Sequence, residues 1–161
     1  MGIKVIAKNK RARYDYHLVE TYEAGLMLVG TEVKSIRDGK VTIGEGHITI
    51  DKDGEAWAHN LKIGLYDFGN QFNHEETRKR KLLLHKIEID EIEHRAKAER
   101  LTIVPTMIYF KGSKIKLEIA LAKGKKLHDK RQDQAKKDAE KKLRRGDYNK
   151  LFSNCILCSF F

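Results

Sequence analysis

Lys114-Ile115-Lys116-Leu117-Glu118-Ile119-Ala120-Leu121 runs directly into Ala122-Lys123-Gly124-Lys125-Lys126-Leu127-His128-Asp129-Lys130-Arg131. The first half alternates polar with apolar side chains, the period of a strand that covers a core with one face. Past Ala122 the second half is cationic and polar, with Leu127 its one large apolar side chain. From Lys123 to Arg145, eleven Lys or Arg stand against four Asp or Glu, so this segment holds +7 of the chain's +10. A nearly neutral body with a concentrated basic arm points to a polyanionic partner, RNA above all.

Working back from that strand, Leu101 to Phe110 reads as a second strand, joined to it by Lys111-Gly112-Ser113. Pro105 marks a strand start, a bulge or an edge. Ile87 to Arg100 reads as an amphipathic helix with a narrow apolar face of Ile89, Ile92 and Ala96. Arg78-Lys79-Arg80-Lys81 places four cations before the apolar run Leu82-Leu83-Leu84, a surface that can hold phosphate while the leucines anchor it. Residues 59–78 are rich in turn formers apart from a short strand at Leu61-Lys62-Ile63, and so long a loop is functional or mobile. His47-Ile48-Thr49-Ile50 and Glu55-Ala56-Trp57-Ala58 form a hairpin in which Asp53-Gly54 supplies the positive φ, and Trp57 is assigned to the core. Gly30 to Gly39 reads as a short helix with Thr31 as N-cap, Glu32 in its first turn and Gly39 as its stop. Tyr14 to Leu28 favours a strand, with Gly25 a bulge or close backbone approach.

The pattern predicts a mainly β protein: a small antiparallel barrel of the oligonucleotide-binding (OB-like) kind, with about six strands and two or three helices. It divides into a basic N-terminal arm at 1–13, flexible or briefly helical; the barrel at 14–122; a basic tail at 123–150; and a hydrophobic end at 151–161. Beyond Gly124 the only apolar stripe is Ala135, Ala139 and Leu143, too little to hold a helix on a core. The tail is therefore expected to be disordered alone, helical on a partner and broken at Gly146-Asp147. Leu151 to Phe161 is uncharged, with eight hydrophobic residues of eleven. It is too short to span a bilayer, and no function is assigned to it.

Composition excludes several classes. With 161 residues, 40% of them hydrophobic, the chain suits one domain plus appendages. No window offers about 18 consecutive apolar residues, so no membrane role is expected. The opening residues lack a secretory core, and the only cysteines are Cys155 and Cys158; both observations suit a reducing cytoplasm. Histidines at 17, 47, 59, 74, 85, 94 and 128 lack metalloprotease spacing, no phosphate-cradling Gly-rich loop is present, and Cys155-Ile156-Leu157-Cys158 lacks a second ligand pair. Neither catalytic residues, a metal nor a cofactor is expected.

Six stretches stand together in order: Asn9-Lys10-Arg11-Ala12-Arg13, Glu23-Ala24-Gly25-Leu26, Gly30-Thr31-Glu32-Val33-Lys34-Ser35-Ile36-Arg37, Gly69-Asn70 with Asn73-His74, Arg80-Lys81-Leu82-Leu83-Leu84-His85, and Leu121-Ala122-Lys123-Gly124-Lys125-Lys126 with Asp129-Lys130-Arg131. Over residues 9–145 the chain resembles the SsrA-binding protein family, also called small protein B. The resemblance implies a monomeric adaptor, not an enzyme. Its barrel would bind the elbow of the tRNA-like domain of transfer-messenger RNA and deliver it to stalled ribosomes for trans-translation. Its tail would enter the decoding centre and the empty message channel and become helical there.

On that reading Asn9, Lys10, Arg11, Arg78, Arg80 and Lys81 contact phosphate and sugar, within an RNA-binding set that also takes in Gly25 and Lys34. Glu23 makes a specific base contact, or else pairs with a nearby Lys or Arg. Glu32 either faces RNA or serves as a helix N-terminal charge, and His85 packs, caps or touches RNA. Lys123, Gly124, Lys125, Lys126, His128, Asp129, Lys130 and Arg131 form the ribosome-directed tail, with His128 able to stack on a base. The chain departs from the family's pattern at Glu75-Glu76-Thr77, where relatives carry a proline, and in its uncharged end.

Overall fold

The computed structural model describes the backbone of residues 2–158 and the side chains of residues 2–144. Strand β9 (Lys114–Gly124) is the spine of the first of two compact units, Met1–Gly124. The alternation that marks it as a strand places Leu117, Ile119 and Leu121 in the core at 1% exposure or less. Gly112, at φ 64, turns the chain back onto β8 (Thr102–Lys111), which pairs with β9 from Thr102↔Ala122 to Lys111↔Lys114. The register slips between Pro105 and Met107, so the proline sits at a bulge, where a missing N–H does least harm. The other edge of β9 pairs with β2 (Tyr16–Leu26) from Gly124 to Lys116.

The remaining strands complete an antiparallel circuit. A hairpin of β4 (His47–Ile50) and β5 (Ala56–His59) turns at Gly54, φ 73. Strand β5 pairs with β7 (Arg80–Leu83), and β7 with β2 at Gly25↔Leu83. On the far side β4 meets β8 at Ile48↔Ile103. The pairing order thus runs β8, β4, β5, β7, β2, β9 and returns to β8. A separate two-stranded sheet joins β3 (Val41–Thr42) to β6 (Lys62–Ile63).

Residues 3–8 differ from the expected flexible arm. They form β1 (Ile3–Lys8), paired along β8 from Ile3↔Lys111 to Lys8↔Met107. Strand β8 extends well past its single pairing with β4, and its open edge supplies hydrogen bonds that no local pattern in residues 3–8 advertises. Helix α1 (Lys10–Asp15) comes next and lays Ala12 over Val104 and Ala122 as a second small core. This cover explains why Ala122, on the outer face of β9, is also buried.

Helix α2 (Gly30–Arg37) starts one residue before the expected Thr31 cap: the Val29 N–H donates to Glu32 Oε2 at 2.9 Å, and Gly39, φ 78, ends the turn after it. Helix α3 (Lys86–Glu99) buries Ile89 and Ile92 as its periodicity predicts. Trp57 is not core. It lies on the outer face of β5, half-buried, with the Lys79 ammonium 4.8 Å from its ring centre. The alternation of β5 sends Ala56 and Ala58 to the core and Trp57 to the opposite face.

The second unit, Lys125–Phe161, contains helix α4 (Leu127–Cys158). Where disorder is expected of the tail alone, the structure has a helix, and it runs on through Gly146. Ala, Lys, Glu, Gln and Arg favour helix locally, and one glycine costs only about 1 kcal/mol. The apolar end from Leu151 lies outside the described side chains.

Gly46 shows how tightly the first unit is packed. A Cβ there would lie 2.8 Å from Pro105 Cγ and 2.9 Å from Leu61 Cδ2. Gly46→Ala is expected to destabilise the protein by about 1–3 kcal/mol, read from its denaturant midpoint.

Candidate nucleic-acid interface

Glu32 and Arg80 are both fully buried, at 0% exposure. Arg80 Nε donates to Glu32 Oε1 at 2.9 Å, and Arg78 Nη2 donates to Oε2 at 3.0 Å. The rest of the Arg80 guanidinium donates to the backbone carbonyls of Leu61, Arg78 and Glu76. Burial pushes the Glu32 carboxyl up, but the Arg78 hydrogen bonds, the Val29 N–H and the Arg80 charge outweigh it and hold the group below its ordinary value. Arg80 therefore presents nothing to an outside partner, contrary to the sequence expectation, and Glu32 takes the second of its two readings, a charge in the first turn of α2 that accepts from the Val29 N–H. A run of four cations cannot reveal that one of them turns inward to a carboxylate 48 positions away. Arg78, half-buried, keeps part of its guanidinium at the surface.

The same correction applies to Asn9. It is 4% exposed, its Nδ2 donates to the carbonyls of Pro105 and Ile43, and its Oδ1 accepts from Ala12 N–H as the cap of α1. With both ends of the amide engaged, it secures α1 to the sheet and cannot reach phosphate. Lys10 is exposed, and Arg11 is exposed beside Asp15 and Glu45, each 3.4 Å away.

Glu23 sits on β2 in a ring of donors from β8 and β9. The Tyr109 hydroxyl donates to Oε2, Lys111 Nζ lies 3.2 Å from Oε1, and Lys116 Nζ lies 3.7 Å away. The Tyr109 hydrogen bond, aided by Lys111 and Lys116, holds the carboxyl below its ordinary value despite partial burial. Burial, with Glu23 as a further cause, raises the Tyr109 hydroxyl above the usual phenol range. The carboxylate keeps 36% of its side chain in solvent, so it is paired and yet reachable.

Beside it opens a groove of about 700 Å³, lined among others by Glu23, Lys81, Leu83, His85, Lys86 and Lys116. Gly25 makes this possible: a Cβ there would lie 3.1 Å from Leu83 Cβ. Its absence lets β2 and β7 close while Leu83 points out, 52% exposed. His85 is exposed and precedes α3, where its N–H donates to Glu88 Oε2 at 3.0 Å. Lys81 pairs with Glu55. Lys34 is exposed, 5.2 Å from the Tyr66 ring centre.

The structure thus gathers Glu23, Lys81 and His85, with Gly25 behind them, and leaves Lys10 and Arg11 beside the opposite end of β2. The sequence reading missed Lys86, Lys111, Lys116, Tyr109 and Leu83. The strict alternation of β9 puts Lys116 and Glu118 on the face opposite Leu117, which could have flagged Lys116. No local signal marks the pairing of Tyr109 with a carboxylate 86 positions away.

A family model described as SmpB protein matches residues 6–148. The chain belongs to the SmpB family. An SsrA-binding protein of Mycobacterium sp. (strain KMS) is 50% identical over 140 residues, covering 87% of this chain and 83% of that protein. One of Pelobacter propionicus is 50% identical over 143 residues, covering 89% and 93%. A solved structure described as "tmRNA-SmpB: a journey to the center of the bacterial ribosome" aligns with TM-score 0.64 and 45% identity, covering 75% of this chain and 85% of that one.

The basic segment of this SmpB-family chain begins inside the sheet. Lys123 pairs with His17 and Gly124 with Tyr16. Lys125 then pairs with Asp133 at 2.5 Å, and Lys126 N–H donates to Asp129 Oδ2 at 3.3 Å, so Asp129 and Asp133 secure the start of α4. His128 and Arg131 are exposed and Lys130 is half-buried. Among the described residues no group of His, Cys, Asp and Glu could hold a metal ion, and no helix is long and apolar enough to cross a membrane.

Because the Glu32 carboxyl titrates below its ordinary value, its contribution to stability is complete above about pH 4.5 and is lost as pH falls through the lowered folded value. The denaturant midpoint should hold from about pH 7 to about pH 5 and fall below about pH 4. Glu32→Gln leaves two guanidinium groups without their carboxylate and should cost about 3–5 kcal/mol, with a shallower acid slope.

Proposed function

We infer that this protein is an RNA-binding adaptor, not an enzyme, which binds the tRNA-like domain of transfer-messenger RNA and brings it to stalled ribosomes for trans-translation. Membership of the SmpB family over residues 6–148 carries the reading. In finer detail, the strand circuit that returns to β8 is a small OB-like barrel. The groove beside Glu23 is its RNA-selecting surface. A carboxylate in a basic surface accepts hydrogen bonds from base or ribose donors.

Lys81, Lys86, Lys116 and Arg78 supply positioning contacts to phosphate, Lys10 and Arg11 extend them, and His85 and Leu83 close the groove. Residues from Lys125 onward are the ribosome-directed element, which works in the cytoplasm as a helix with His128, Lys130 and Arg131 on its first turns. Its cations outnumber its acids, and a strongly anionic channel is the surface that would hold it.

Two variants test this division. Glu23→Ala should weaken binding of a structured tRNA-like RNA by about tenfold while leaving α4 intact. A chain ending at Gly124 keeps all of β9 and should retain that binding, yet fail to support tagging on stalled ribosomes. Loss of RNA affinity on truncation, with Glu23→Ala unaffected, would reverse the assignment of roles.

A further inference from the structure

The outward side chains of β4 and β5 form a strip that the adaptor role described above leaves unused. His47 and His59, paired across the two strands, stack with ring centres 5.1 Å apart and planes 12° from parallel. His59 Nε2 lies 2.8 Å from Thr49 Oγ1, which fixes the orientation of the ring. Thr49 in turn pairs with Trp57, and Lys79 lies over the indole. None of these outward residues is aliphatic, whereas the inward ones, Ile48, Ala56 and Ala58, are buried. Three planar rings and a cation on a rigid two-stranded support are poor material for an apolar protein contact. They suit the faces of nucleobases followed by a phosphate.

We propose that this face of β4 and β5 is a second RNA-contacting surface, on which unpaired bases stack against His47, His59 and Trp57 while Lys79 meets the backbone phosphate. Lys79 shows where a cation already finds the indole; on binding it moves to phosphate and a base takes its place on the ring. Burial, then the neighbouring His47 and Lys79, lowers the pKa of His59, which keeps it an uncharged stacking partner at neutral pH. The Lys81–Glu55 ion pair borders the strip on the side of the Glu23 groove, so an RNA held in that groove can extend a single strand across it. The ligand class is single-stranded RNA without sequence preference, because every base has a stacking face.

Trp57 is the only tryptophan in the chain, so its emission reports on this face and not on the basic helix, which binds any polyanion. The full-length protein is titrated with an oligoadenylate of about eight nucleotides at moderate salt, with Trp57 emission and oligonucleotide anisotropy recorded together. The expected result is quenching of Trp57 that tracks binding and is weakened about fivefold or more by His47→Ala and by Lys79→Ala. His47 and Lys79 are exposed, so both variants should unfold at the wild-type temperature. A rise in anisotropy with unchanged Trp57 emission would overturn the proposal. So would no binding at all, or His47→Ala and Lys79→Ala curves that superimpose on the wild type.

Discussion

The buried contact between Glu32 and Arg80, completed by Arg78, is the constraint on which the rest of the first unit depends. Two ions removed from water are costly unless their charges meet and their remaining donors are satisfied. Both conditions hold here: the carboxylate accepts from two guanidinium groups and a backbone N–H, and Arg80 reaches carbonyls at Leu61, Glu76 and Arg78. The cluster therefore ties α2, the loop before β7 and β7 itself into one piece. The loop leaves its large apolar side chains Leu65, Phe68 and Phe72 exposed. It is held by polar contacts, with His74 adding one to Thr31 and one to Ile63, and Asn73 closing on Tyr66.

That order positions the groove. Strand β7 enters the sheet at Arg80, buried, so alternation sends Lys81 outward, Leu82 to the core and Leu83 outward again. Opposite Leu83 stands Gly25, and two positions before it Glu23, set by the same period on β2. The carboxylate proposed to read the RNA and the lysines proposed to hold it thus derive their spacing from strand geometry. The elements beneath them are anchored by ions that never reach solvent. A rigid frame of this kind suits a protein that must recognise a folded RNA by shape, since little ordering cost remains to be met on binding.

Charge is distributed in keeping with this division. In the first unit many cations already have acids beside them, Lys111 and Lys116 at Glu23, Arg11 at Asp15 and Glu45, Lys40 at Asp67. The excess lies in the segment from Lys123 to Arg145, with +7. Such a segment attracts any polyanion at long range and discriminates weakly, whereas the groove, on the proposed reading, would discriminate and attract weakly.

Local pattern by itself determined the hairpin at Gly54, the turn at Gly112, the face of α3, the strand β9 and the basic character of the segment after it. Each depends on a period or a turn residue contained within about ten neighbouring positions. The six stretches that resemble the SsrA-binding protein family were likewise legible, because a family is recognised by residue type and order. Only the tertiary structure decided that Ile3–Lys8 is a strand, that Trp57 faces out, and that Asn9, Glu32 and Arg80 are internal fastenings and not contacts. The physical reason is common to all of them: whether a polar side chain meets solvent or a partner, and whether a segment finds an open sheet edge, depends on residues far along the chain. The pairing of Arg80 with Glu32 spans 48 positions and that of Asn9 with Pro105 spans 96, distances over which no local pattern carries information.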